Sequence, residues 1–270
     1  MKSKFYKASF LLLLSVLLLL IVNTFMGSAT DGTKIVFFGM GDADSIYIEN
    51  HNQTILIDAG LKSDRKKLIS KLKSLGVTNL DYVILTHPDK DHIGGASYVL
   101  DEFEVGELIQ SVHFKDTKRE ARIAEVVEEK NIKNTILTED RPIDLGELKV
   151  TIMSPEKSVY QTDNDYSLIT LVEDGDLNYL FAGDAEADLT KELLERDFPP
   201  IDMYKVAHHG RKNEYSKAFI EKIAPQYAVI TNSPTDDDVK DFLEAENAVV
   251  RYVYDRDLHF FSNGTKMRMK

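Results

Sequence analysis

Thr86-His87-Pro88-Asp89-Lys90-Asp91-His92-Ile93-Gly94-Gly95 packs four potential metal ligands into six residues, directly behind the apolar run Tyr82-Val83-Ile84-Leu85. Side chains alternate along a strand end, so His87 and Asp89 are expected to point the same way, with Asp91 and His92 returning from the far side of a tight loop. Gly94 and Gly95 have no Cβ, which lets the backbone pass close to a bound ion and turn into a helix from Ala96. A solvated polar turn is the plainer reading of Asp, Pro, Lys and Gly. It does not explain this density of ligands behind a strand.

The composition agrees with a His and carboxylate site. The chain has 270 residues, no Cys, and a formal net charge of -12. Without Cys there is no disulfide framework, thiolate ligand or lipoprotein anchor, so a transition-metal site must be built from imidazole and carboxylate. Strong acidity argues against a broad basic footprint for nucleic acid, whose affinity comes largely from Lys and Arg displacing counterions. A pair of cations can still hold a single phosphate.

The remaining candidates sit where other apolar runs end. Thr33 to Phe38, Ser45 to Glu49 and Thr54 to Asp58 read as a β-meander, followed by a helix from about Asp64 to Leu75 that stops at Gly76. A strand over Val105 to His113, a helix over Asp116 to Lys130 and short runs at 135–137 and 148–153 come next. Leu168 to Val172 and Asn178 to Ala182 form a hairpin, and Gly183-Asp184-Ala185-Glu186 follows it. Ile201 to Ala207 is a strand that delivers His208-His209-Gly210-Arg211. Strands and helices then alternate to a hairpin near Asn263-Gly264. Asp236-Asp237-Asp238 reads as charge at a helix N-terminus. His113 lacks ligand neighbours and is expected to be satisfied or exposed.

The spacing H-x-D-x-D-H-x-G-G resembles the H-x-H-x-D-H motif of the metallo-β-lactamase fold, with Asp89 in the middle His position. It is similar to the variant in the metallo-β-lactamase-like domain of the ComEC family of DNA-uptake proteins and its free-standing relatives. Asp44-Ser45, Asp58-Ala59-Gly60, Gly183-Asp184-Ala185-Glu186 and His208-His209-Gly210 resemble further motifs of that family, although Gly39, Ala43 and Arg211 depart from them. The resemblance implies an α/β fold: a four-layer αββα sandwich, one domain over residues 31–270. It implies two divalent ions, Zn or Mn, on His87, Asp89, Asp91, His92, a bridging Asp184, and either His208 or His209. His209 is preferred, because it directly precedes Gly210. Many members carry a His where this chain has Asn164, so the first ion is expected to be loosely held, or Asp165 to substitute. Asp91 is the candidate proton acceptor. Asn164, Lys205 and Arg211 are candidates to meet substrate.

Lys2, Lys4 and Lys7 precede the apolar stretch from Ala8 to Val22, and Gly27 and Ala29 stand at small-residue positions. Residues 1–29 therefore read as a cleaved export signal or a membrane anchor, with residue 30 onward outside the cytoplasm. The expected function is exported, metal-dependent hydrolysis of a phosphodiester or nucleic acid. The alternatives are a small extracellular ester, lactone, β-lactam or teichoic-acid phosphoester as substrate, or a non-catalytic binding module.

Overall fold

The computed structural model describes residues 32–234 and 239–270. The export segment, residues 1–29, and Asp236 to Asp238 lie outside the described residues. Among the described residues, no helix is long and apolar enough to cross a membrane.

Fifteen strands form two sheets among these residues. The first contains β1 (Thr33–Phe37), β2 (Ile46–Asn50), β3 (Gln53–Ile57), β4 (Asn79–Leu85), β5 (Glu104–Ser111) and β6 (Lys133–Leu137). β14 (Leu258–Ser262) and β15 (Met267–Met269) complete it, in the order β15-β14-β1-β2-β3-β4-β5-β6. The second contains β7 (Arg141–Leu145), β8 (Leu148–Met153), β9 (Ile169–Asp174), β10 (Leu177–Phe181), β11 (Met203–Lys205), β12 (Tyr227–Ile230) and β13 (Val249–Tyr252). Its order is β13-β12-β11-β10-β9-β8-β7. The antiparallel strands β1 to β3 pass into the parallel set β3 to β6. In the second sheet β10 to β13 are parallel.

Both faces of each sheet are covered, and the strand sequences show why. On β1, Ile35 and Phe37 enter the core between the sheets, while Val36 packs under the first helical layer. On β10, Tyr179 and Phe181 enter that same central core, and Leu180 packs under the second helical layer. Strands buried on both faces need near-continuous apolar runs, which is what these stretches are. The helices Arg65–Ser74, Ala96–Glu102 and Lys118–Glu129 cover one outer face. Ala187–Glu195, Ser216–Ile223 and Lys240–Ala245 cover the other. The result is the expected four-layer αββα sandwich. The helix at Lys118 begins with a capping box, Thr117 and Glu120 each satisfying the other's backbone N–H.

One strand escaped the sequence reading. β7 carries Pro142 and alternates exposed and buried residues at the sheet edge, where a missing N–H is tolerated. Its Arg141 reaches across to the other sheet and grips the buried Glu107 of β5 with its two terminal guanidinium nitrogens, one at 2.9 Å. Thr135 and Lys133 add hydrogen bonds to the same carboxylate at 2.6 and 3.0 Å. Arg141 above all holds Glu107 at about 2, against the opposing effect of burial, from an ordinary 4.5. A depressed carboxylate stabilises the fold above its unfolded pKa, and that contribution fades as pH falls through the folded value. Glu107→Gln should cost about 2 kcal/mol at neutral pH, allowing for the partly exposed Arg141. Denaturant melts at several pH values should show the gap from the parent closing between about pH 4.5 and 2. A gap independent of pH would rule out this assignment.

Candidate metal centre

The parallel strands of both sheets end at one rim, where α/β proteins place ligands. β3 ends in Asp58, β4 in the loop from Thr86, β10 in Gly183-Asp184, and β11 in the turn at His208-His209. Four of these side chains meet: one ligand atom each from Asp91, His92, Asp184 and His209 lies within 4.8 Å of the others. His92 Nε2 and His209 Nε2 are 3.2 and 3.3 Å from the same Asp184 oxygen, Oδ2, and 3.3 Å from each other. Asp91 lies 3.5 Å from His209 Nε2. The ring of His87 stacks obliquely on His92, with centroids 4.1 Å apart.

Buried partners on the far side of each ring orient the three imidazoles. Asp58 accepts from Nδ1 of His92 at 2.7 Å, and from the backbone N–H and hydroxyl of Thr86 at 2.9 and 2.7 Å. Since the Thr86 hydroxyl donates to Asp58, its oxygen accepts from His87 Nδ1 at 3.1 Å. Ser167 also lies 3.3 Å from that nitrogen and accepts the Asp184 backbone N–H. His209 Nδ1 donates to the Thr231 carbonyl at 3.1 Å. Every Nδ1 is thus engaged, which turns a lone pair on each Nε2 inward.

This arrangement fits divalent cations. His87 Nε2 and Asp184 Oδ1 are buried and have no hydrogen-bond partner, and the Nε2 atoms of His92 and His209 converge on the other oxygen of Asp184. Unpaired buried acceptors cost about 1 to 3 kcal/mol each, and a bound cation removes that cost. The electrostatics agree. Burial opposes charge on His92 and His209, but Asp184 with Asp58, and Asp184 with Asp44, outweigh it. His92 is driven well above the usual histidine range and His209 to about 9, so the cluster calls for positive charge. Burial, and then His92, push His87 down to about 3, which keeps it a neutral donor of its lone pair. Burial raises Asp91, yet His209 and His92 pull it down to about 2. A carboxylate so firmly ionised suits holding a cation better than accepting a proton at neutral pH.

Several expected ligands lie elsewhere. Asp89 does not share the direction of His87, because β4 ends at Leu85 and the strand alternation ends with it. Its carboxylate turns outward to Lys115 at 2.8 Å. Asp165 does not replace a missing His. It is buried under the helix Ala187–Glu195 and accepts the backbone N–H groups of Glu186 and Leu189 at 2.9 and 3.0 Å. Asn164 donates to Glu186 at 2.8 Å and lies 3.3 Å from His208 Nε2. Of the two adjacent imidazoles, His209 enters the cluster. His208 stays at the rim against Glu186 and Arg211. Lys205 was expected to face substrate. It is instead fully buried beneath the centre, its ammonium on Asp44, and it cannot neutralise an incoming phosphate. Arg211 remains exposed at the mouth. His113, as expected, is satisfied, by Asp163 at 2.6 Å.

The glycine pair also has another reason. Neither Gly94 nor Gly95 has positive φ. A Cβ on Gly94 would stand 2.5 Å from the Lys62 nitrogen, and one on Gly95 would overlap the Ala59 carbonyl. They let the metal loop lie flat on Asp58-Ala59-Gly60, with Gly95 N–H donating to the Gly60 carbonyl at 3.0 Å. His208 and His209 both adopt left-handed backbone, φ 47° and 53°, a conformation that costs an L-residue about 1 to 2 kcal/mol. That turn points His209 inward. Asp44 escaped the sequence reading as a site residue. It is buried within 4.0 Å of both His92 and His209, and the signal that could have found it was the resemblance of Asp44-Ser45 to a family motif.

With this geometry in view, the profile of the metallo-beta-lactamase superfamily matches residues 39–231, most of the chain. The chain belongs to the metallo-beta-lactamase superfamily. Its relatives are of the ComEC kind. It is 26% identical over 222 residues to ComE operon protein 3 of Bacillus subtilis, covering 76% of this chain and 28% of that protein. It is 33% identical over 153 residues to Recombination protein 2 of Haemophilus influenzae, covering 57% of this chain and 18% of the other. The match thus spans less than a third of either relative. Among solved structures, the metallo-beta-lactamase fold protein YhfI of Bacillus subtilis superposes with a TM-score of 0.59. The superposition covers 86% of this chain and 100% of YhfI at 14% identity, a likeness of fold.

Proposed function

We propose that this superfamily hydrolase cleaves phosphodiesters outside the cytoplasm, with two divalent ions, Zn or Mn, as cofactors. The observation that carries the reading is the carboxylate content of the centre: Asp91 and Asp184 stand beside His92 and His209, and Arg211 is exposed at the mouth. When bound, a pair of divalent ions lowers the pKa of a shared water and stabilises charge at phosphorus. Two carboxylates beside three imidazoles make a mixed donor set that accepts either Mn or Zn. Asp184 presents one oxygen to both His92 and His209, the position of a shared ligand. Asp58, Thr86 and Thr231 keep the imidazoles in the tautomer that leaves Nε2 free. Arg211, 2.9 Å from His208, supplies the guanidinium that suits a phosphate oxygen. The resemblance to the ComEC domain supports a nucleic acid or its fragments as substrate, and the basic and apolar residues 2–22 support export with cleavage or anchoring.

Purified protein loaded with Mn or Zn should hydrolyse bis-p-nitrophenyl phosphate, and chelation should remove the activity. Turnover of lactones or β-lactams without turnover of the phosphodiester would transfer the assignment to a carbonyl substrate. Metal-free, inactive protein would leave only a binding module.

A further inference from the structure

Lys205 lies at the end of β11 with a relative exposure of 0%. Its ammonium contacts Asp44, donates to the Gly183 carbonyl at 2.9 Å, and stands 3.6 Å from Asp184 Oδ1. Asp44 in turn reaches His209 Nδ1 at 3.5 Å, and its own Oδ1 lacks a hydrogen-bond partner. A buried lysine is costly, and packing alone would be served as well by Met or Leu. Here it joins the first sheet's loop at Asp44 to the second sheet's Asp184.

We propose that Lys205 is a positioning residue that serves as a permanent internal cation of the centre: with Asp44 it forms a charge pair that sets how strongly the surrounding ligands attract metal ions. The inference rests on the metal-binding reading above. The Asp184 oxygen nearest Lys205 is Oδ1, whereas the one nearest His92 and His209 is Oδ2. Because like charges repel across a low-dielectric interior, the two ends of the pair act on metal affinity with opposite sign.

The test is a charge cycle on the full chain, read as Mn affinity by competition with a chromophoric chelator and as ions bound per chain. Lys205→Met removes the cation and leaves Asp44 as an extra anion, so Mn should bind at least about tenfold tighter. Asp44→Asn leaves the ammonium unopposed, so Mn should bind at least about tenfold more weakly. The double variant Asp44→Asn/Lys205→Met keeps the net charge and should return to within about threefold of the parent. If Lys205→Met does not fold, recovery of affinity in the double variant over Asp44→Asn carries the test, because loss of packing cannot restore binding. Weakened binding in all three variants, or no change in any, would overturn the proposal. Absence of metal from the parent would instead overturn the metal-binding reading itself.

Discussion

Asp184→Ala should lose at least one metal ion per chain and lower turnover of bis-p-nitrophenyl phosphate by at least about a thousandfold, or about 4 kcal/mol of transition-state stabilisation. Its carboxylate lies within 3.2 to 3.6 Å of His92, His209 and Lys205, so removing it takes away the one oxygen donor that both imidazoles share. Burial raises its pKa, but His209 and His92 draw it well below the usual carboxylate range, so it stays ionised. Far-ultraviolet circular dichroism should be preserved, since the side chain belongs to none of the three apolar cores. Elemental analysis and a rate assay on the same preparation decide the matter. Parental metal content and rate would refute the role.

Asp58→Ala should damage both stability and the centre. Asp58 is buried in left-handed backbone, φ 58°, and accepts three hydrogen bonds, from Thr86 N–H, Thr86 hydroxyl and His92 Nδ1. Removing it strands these donors in the interior, at an expected cost of about 3 to 5 kcal/mol. For a domain of this size that lowers the melting temperature by roughly 10 °C. His92 also loses the partner that fixes its tautomer, and outer partners of metal-binding histidines are worth about 10 to 100-fold in affinity. Thermal melts with and without Mn, together with a chelator competition, measure both effects. A variant within about 2 °C of the parent and with parental affinity would remove Asp58 from the centre's support.

The strength of the sequence reading varied with the kind of evidence. Elements buried on both faces were legible because burial demands uninterrupted apolar runs, as at Tyr82 to Leu85 and Tyr179 to Phe181. β7 was not, because an edge strand with Pro142 and alternating exposure resembles a loop. Within the site, residues in dense local motifs were legible, namely His87, Asp91, His92, Asp184 and the pair containing His209. The error at Asp89 came from extending strand alternation past Leu85, and the error at Lys205 from assuming that a cation near ligands faces solvent.

Local chemistry along the chain determined which groups gather: the motifs, their places at strand ends, and a ligand set confined to imidazole and carboxylate by the absence of Cys. Tertiary structure decided which way each group points. Orientation depends on partners distant in sequence, such as Asp58 for His92, Thr231 for His209 and Asp44 for Lys205. It depends too on backbone held in left-handed conformations at Asp58 and His209 by packing around them. A single buried contact of this kind outweighs any local side-chain preference, because an unpaired polar group in the interior costs more than a rotamer.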